Sequence, residues 1–440
     1  MNNENRWESE LCERERPSRV TRRAVLGTGA GIALASALAT WAGNRSALAQ
    51  VTVAPKGLET GRDVLVNIFL RGAADGLSLV VPYGEDEYFK ARPTLALAAP
   101  KKGNSGSALD LNGFFGLHPA LAPLLPLYKD GTLAVLHAVG SGDQTRSHFE
   151  AMATMERGEY KEAGREARGW LARHFDTMPG SASPLRAVAF GTIMPDTLRG
   201  ATSATAVNSL SDLRIKAPRP ELETALQAMY APGSDAASVA GRETIAAMDT
   251  LRKIDPANYK PANGAAYPAT GLGDGLKQTA CLVKAGVGLE AAFLDRGGWD
   301  THVGQGGATG WLALQLDDVA KSLAAFARDL GTDRDHVTVI VQTEFGRRVV
   351  ENSSLGTDHG RASAMFVWGG GVNGGKVHGD WPGLKPEQLE APGDLRVMTD
   401  YRVVLAEILA KRCGNAAGLN AVFPGANLSA ANFAGVVRPR

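Results

Sequence analysis

Two short segments put a carboxylate beside an imidazole: Trp299-Asp300-Thr301-His302 and Thr357-Asp358-His359-Gly360. One hard oxygen and one ring nitrogen suit Zn²⁺ or Mn²⁺, and suit Ca²⁺ less, because Ca²⁺ prefers oxygen alone. A divalent cation acidifies a water or hydroxyl and polarises an ester oxygen. Asp300, His302, Asp358 and His359 are therefore candidate metal ligands. Thr-Asp-His-Gly also reads as a plain turn, with Asp bonding the backbone and Gly taking φ > 0. A third polar segment, Ser141 to His148, supplies Thr145 and Ser147 as candidate nucleophiles, with His148 beside them. Arg71, Arg146, Arg347 and Arg361 lie in the same segments. Guanidinium forks fit phosphate or sulfate oxygens, so these four are candidate substrate-binding residues; pairing with neighbouring carboxylates is the plainer reading of any one of them.

Positioning these groups requires a sheet. Residues 337 to 341, Val-Thr-Val-Ile-Val, are all β-branched, as in a central parallel strand buried on both faces. Further apolar runs span Asp63 to Leu70, Thr132 to Val139, Leu185 to Phe190, Leu289 to Asp295 and Ala364 to Trp368. Polar chemistry starts where most of these runs stop: at Asp75, at Ser141, at Asp300 and at Glu344. If the strands are parallel, all these clusters lie at one edge of the sheet, where open α/β folds bind ligands. The segment Ser141 to His148 leads from a strand into a helix start, a natural anion site. A long amphipathic helix, Trp311 to Leu330, joins the 289–295 strand to the 337–341 strand as a parallel crossover. From about residue 194 to 270 the pattern loosens into helices and Ala/Gly/Pro/Ser joints, which reads as a helical insertion.

Charge is balanced, with 47 Lys+Arg against 46 Asp+Glu, so no basic field argues for nucleic acid. Arg22-Arg23, an Ala/Gly-rich run from Ala24 to Ala42 and Ala47-Leu48-Ala49 make residues 1–49 a cleavable twin-arginine export signal. The expected partner is the twin-arginine machinery and the expected location the periplasm. Residues 50–440 form the folded part, with no later span long and apolar enough for a membrane. Cys281 and Cys413 remain after cleavage and read as buried thiols.

Arg71-Gly-Ala-Ala-Asp-Gly-Leu, Gly116-Leu-His-Pro-Ala-Leu, Arg146-Ser-His-Phe, Trp299-Asp-Thr-His, Glu344-Phe-Gly-Arg-Arg and Thr357-Asp-His-Gly, in this order, resemble the family known as domain of unknown function 1501. Its fold is similar to the alkaline phosphatase and sulfatase superfamily. The resemblance implies an α/β domain with a mostly parallel sheet between helices, and a divalent metal held by Asp75, Asp300, His302, Asp358, His359 and His378. The Asp-x-His spacing is tighter than that superfamily's, and no hydroxyl matches its nucleophile context. The resulting expectation is an exported, metal-dependent hydrolase of a phosphate or sulfate ester, with no nucleotide cofactor. The alternative is a non-catalytic binding or assembly protein on a degenerate hydrolase fold.

Overall fold

Strand β6 (Val337–Gln342) is buried along its whole length, and its side chains divide between two cores. Val337, Val339 and Val341 enter one apolar cluster, and Ile340 enters the other. Strand β1 (Val64–Leu70) divides in the same way, with Val64, Val66 and Ile68 on one face and Leu65 and Phe69 on the other. Two buried faces explain why these strands read as unbroken apolar runs.

The computed structural model describes residues 62–159, 168–178, 180, 183–214, 220–426 and 428–440. Residues 1–49, expected to be an export signal, lie outside them. The remaining strands of the main sheet are β2 (Leu133–Gly140), β3 (Ala187–Phe190), β4 (Ala204–Val207), β5 (Ala291–Arg296), β9 (Ser363–Gly369), β10 (Val377–His378) and β11 (Thr399–Asp400). Between β6 and β9 a two-stranded hairpin forms from β7 (Arg347–Glu351) and β8 (Thr357–His359). The sheet order is β10-β2-β9-β6-β1-β5-β3-β4, and β11 also pairs β2. Strand β1 pairs in parallel with both β5 and β6. Only β9 is antiparallel to its neighbours, β2 and β6. The expected α/β class with a mostly parallel sheet is the observed one.

Helices α5 (Gly271–Ala285) and α6 (Trp311–Leu330) cover one face; α2 (Trp170–Thr177) and α7 (Tyr401–Lys411) cover the other. Segment 194–270 does contain helices, α3 (Pro220–Tyr230) and α4 (Ala236–Ile254), but it is not wholly helical. Its Ala204-Thr-Ala-Val207 run is the terminal strand of the main sheet, paired with β3. Two alanines in four residues give that strand little apolar signal, so it does not stand out in the sequence. Cys281 and Cys413 are buried free thiols, as expected.

Because β1, β5 and β6 run in parallel, the loops after Leu70, Arg296 and Gln342 meet at one edge. The antiparallel β9 begins at that edge, so the hairpin leading into it lies there too. Behind this edge, however, Asp75 is no metal ligand. It is fully buried, and Arg92, also fully buried, donates to Oδ2 at 2.5 Å and to Oδ1 at 2.9 Å. Ser78 Oγ and Gln305 Nε2 donate to Oδ2 as well. Gln305 Oε1 in turn accepts from Thr301 and Thr357, which belong to the two Asp/His segments. Burial pushes the Asp75 carboxyl up, but Arg92, Ser78 and Gln305 outweigh it and hold the group below the usual carboxylate range. Asp75→Ala leaves Arg92 buried and uncompensated, and should cost about 3–5 kcal/mol in urea unfolding at neutral pH. In the wild type this contribution is present above the ordinary carboxylate pKa of about 3.9 and is lost as pH falls through the lower folded value. The stability gap between wild type and variant should therefore narrow only in acid; a gap below about 1 kcal/mol at neutral pH contradicts the assignment.

Candidate metal centre

Three imidazoles converge on one oxygen. Asp300 Oδ1 lies 3.2 Å from His302 Nε2, 3.2 Å from His359 Nε2 and 3.5 Å from His148 Nε2. Its fourth neighbour is Arg347 Nη2, at 2.6 Å. The ligand atoms of His148, Asp300 and His359 all lie within 4.8 Å of one another, and His302 stands outside that group, beside Asp300.

Each ring is fixed through its other nitrogen. His148 Nδ1 donates to Glu344 Oε1 at 2.8 Å, His302 Nδ1 to Asp358 Oδ1 at 3.0 Å, and His359 Nδ1 to the Arg146 carbonyl at 2.9 Å. A carbonyl or ionised carboxylate can only accept, so in all three rings the proton sits on Nδ1. His359 Nε2 also lies in hydrogen-bond range of Asp300 Oδ1, at 3.2 Å, so that ring donates there when doubly protonated, whereas a neutral ring sets its lone pair against the carboxylate oxygen. A second proton on a ring, or a cation among these atoms, relieves the crowding of lone pairs. His148 Nε2 is buried and has no hydrogen-bond partner, which suits a metal-ligand atom. Ring orientation through Nδ1 to a carboxylate or carbonyl is the usual support of a metal-binding histidine. The donor set, two imidazole nitrogens and one carboxylate oxygen with the His302 imidazole beside them, fits Zn²⁺ and related transition ions.

Local structure puts these groups in place. His148 opens helix α1 (His148–Arg157), directly after the loop that leaves β2. Arg146, in that loop, sits at φ +55°, and its carbonyl accepts the His359 bond from this uncommon conformation. Asp300 and His302 lie in the loop after β5. Gly72, at φ +120°, lets the loop after β1 press against it: a Cβ there would stand 2.6 Å from the Asp300 backbone nitrogen. His359 pairs with Arg347 across the β7–β8 hairpin, so both side chains reach Asp300 from one strand pair. Phe345 lies against the His148 ring, with centroids 5.0 Å apart, and against His359 at 5.1 Å.

Protonation follows the surroundings. The Glu344 bond raises the pKa of His148 against the opposing effect of burial, whereas burial lowers that of His359. Burial pushes Asp300 up, but Arg347 and the neighbouring histidines outweigh it and hold the carboxyl at about 2. Asp300 is thus ionised at neutral pH. Its side chain is 49% exposed, so the cluster opens to solvent.

Several sequence expectations change here. His148, expected beside a nucleophile, is the third imidazole of the cluster. Asp358 orients His302 and is not among the converging atoms. His378 lies on β10 at the sheet edge, where its Nε2 bonds the Asn373 carbonyl. Arg347 is not free for substrate: it donates to the carbonyls of Ala73, Thr357, Gly72 and Trp299 as well as to Asp300. Arg71 pairs with Glu156 and Asp295, and Arg146 pairs with Asp394. Arg361 reaches the Ser141 carbonyl and Glu390. Thr145 Oγ1 donates to Asp143 and accepts from the Ser147 amide, so it closes a turn. Ser147 is the N-cap residue of α1 and makes no side-chain capping bond. Glu344 was visible in sequence only as a polar residue after a strand; its role as the carboxylate behind His148 needs the fold.

A family model described as "Protein of unknown function (DUF1501)" matches residues 131–410. No curated protein matches the chain. Among solved structures, the alkaline phosphatase from the Antarctic bacterium TAB5 is similar at 11% identity, with 70% of this chain and 92% of that chain covered and a TM-score of 0.27. The PH0037 protein from Pyrococcus horikoshii is similar at 12% identity, with 70% and 86% covered and a TM-score of 0.25. At such scores the chemistry rests on the site itself.

Glu344 is a direct test of the arrangement. Its Oε1 accepts from both His148 Nδ1 and the Gly72 amide, and the residue is fully buried. Glu344→Gln removes the charge behind His148 while keeping the shape. Zn²⁺ affinity, measured by competition with a chromogenic chelator, should fall about 10- to 100-fold. Unchanged affinity would mean that His148 is not a ligand.

Proposed function

The chain belongs to the DUF1501 family of proteins of unknown function, and from the site itself we propose a metal-dependent hydrolase of phosphate or sulfate esters. The observation that carries this is the convergence of His148, His302 and His359 on Asp300 with every Nδ1 anchored. These four residues would hold one divalent cation, Zn²⁺ or Mn²⁺. Bound there, it supplies Lewis acidity toward an ester oxygen and toward water.

The protein's own part is to bind, orient and hold charge. Glu344, Asp358 and the Arg146 carbonyl keep the three rings in one tautomer. Arg347 is sealed inside, with a side chain 0% exposed, and fixes Asp300 as an ionised acceptor. The opening beside Asp300 distinguishes the site from a closed structural metal, whose ligands are shut off from solvent. No nucleotide cofactor is called for by these residues.

The test pairs metal content with turnover. Protein purified without chelator should carry about one cation per chain and hydrolyse a generic aryl phosphate or aryl sulfate. His148→Ala with His359→Ala should lose the metal and drop turnover to background while the circular dichroism of the sheet is kept. Bound metal without turnover of either ester would instead favour the binding or assembly reading.

Export through the twin-arginine pathway to the periplasm belongs to the same proposal, supported by Arg22-Arg23 and the Ala47-Leu48-Ala49 cleavage signal. Arg22→Lys with Arg23→Lys should leave unprocessed precursor in the cytoplasm; normal processing of that variant would rule the pathway out.

A further inference from the structure

Resting on the metal-centre reading, we propose that Gln305 is a positioning residue: it ties the two Asp/His segments together and so holds His302 and His359 at their distances from Asp300. In each segment a threonine turns inward while its neighbours turn outward. Thr301 is buried between the exposed Asp300 and the half-buried His302; Thr357 is buried ahead of the half-buried Asp358 and His359. A buried hydroxyl needs a partner, and the partner it finds constrains the chain around it. Here both hydroxyls find the same one. Thr301 Oγ1 donates to Gln305 Oε1 at 2.8 Å, and Thr357 Oγ1 donates to it at 2.7 Å.

The amide cannot turn over. Its Nε2 donates to Asp75 Oδ2 at 2.7 Å and to Ser78 Oγ at 3.2 Å. Asp75 is an ionised carboxylate held by Arg92 and can only accept, so nitrogen must face it and oxygen must face the threonines. Both hydrogens and both lone pairs of the amide are then in use, in a side chain with no exposure to solvent. The backbone of Gln305 is fixed as well. Its amide donates to the Leu355 carbonyl at 2.9 Å, and its carbonyl accepts from the Leu312 amide at 3.0 Å, at the start of α6. The tie therefore runs from a buried ion pair to both segments that carry ligands.

Two other residues join the same segments. Arg347 binds Asp300 and the Thr357 carbonyl, and Asn352 Nδ2 donates to the His302 carbonyl and to Asp358 Oδ1, at 3.0 Å each. Most of those bonds act on the ligands and their supports, whereas Gln305 acts on the threonines that turn inward. Segments released on that side can pivot, and a shift of about 1 Å is enough to spoil a metal site built on 3.2 Å spacings from Asp300 Oδ1 to His302 and His359. If Gln305 only filled a polar gap in the core, its loss would lower stability and leave the centre alone.

The experiment measures Zn²⁺ affinity of the mature protein by competition with a chromogenic chelator, and melting temperature without metal. Wild type is compared with Gln305→Met, Thr357→Val, Ser78→Ala and the triple variant Gln305→Met, Thr301→Val, Thr357→Val. Gln305→Met severs both ties at nearly constant shape and should bind Zn²⁺ about tenfold more weakly, the lower end of what supports behind metal ligands cost. Thr357→Val severs one tie and should lose affinity by less. Ser78→Ala removes a bond on the Asp75 side of the same network, so it should lower the melting temperature with Zn²⁺ affinity kept. The triple variant leaves no unmet hydroxyl; it should regain part of the melting temperature lost by Gln305→Met and still bind Zn²⁺ as weakly. Wild-type affinity in folded Gln305→Met and Thr357→Val overturns the proposal. So does affinity that falls in Ser78→Ala, or that returns with melting temperature in the triple variant, because it then follows stability alone. Where Gln305→Met fails to fold, Thr357→Val against Ser78→Ala decides the same question. Absence of Zn²⁺ binding by wild type is a different result: it defeats the metal-centre reading itself, and the proposal with it.

Discussion

The geometry of the centre depends on one buried guanidinium. Arg347 is inaccessible to solvent, yet it touches the loops after β1 and β5 and the far strand of the β7–β8 hairpin. A buried charge is tolerated only when its donors are met, and here four carbonyls and Asp300 meet them. The same contacts that satisfy the guanidinium set the distance between Asp300 and the hairpin that carries His359. Loop placement and the charge state of Asp300 are thus one constraint. Removing the guanidinium would loosen two loops and the hairpin at once, which is why Arg347 is better understood as a positioning residue than as a substrate contact.

Around that anchor the chain keeps opposite charges in separate compartments. Arg92 neutralises Asp75 behind the sheet edge, in a network that runs through Gln305 to Thr301 and Thr357. Asp300, with a half-exposed side chain, faces solvent instead. One potential carboxylate ligand is therefore spent on structure, and the other is left for the three imidazoles. Among the described residues the only grouping of metal-ligand type is the one built on Asp300. This partition fits a centre for one cation.

Much of the architecture was legible in the sequence because it is written in local pattern. Five β-branched residues in a row mark β6, and the polar residues after each apolar run mark the sheet edge. Asp300, His302 and His359 were identifiable from the Asp/His pairs. What pattern cannot show is which charge meets which. Arg92 reaches Asp75 from 17 residues away, and Arg347 reaches Asp300 from 47. Both pairings convert an expected ligand or substrate contact into structure. His148 is the converse case: its sequence setting, next to two hydroxyls at a helix start, suggested a nucleophile's neighbourhood. Only the Glu344 bond, across 196 residues, turns its Nε2 toward the cluster. Strand β4 is not legible in the sequence, because Ala-Thr-Ala-Val carries little apolar signal.

The central claim is that His148, His302, His359 and Asp300 share one cation. X-ray absorption at the zinc edge of the zinc-loaded mature protein examines it most directly. The account predicts three imidazoles in the first shell at about 2.0–2.1 Å, with the multiple-scattering pattern of ring nitrogens, and one or more oxygens at about 2.0–2.2 Å. A first shell containing sulfur, or made of oxygen with fewer than two imidazoles, would contradict it.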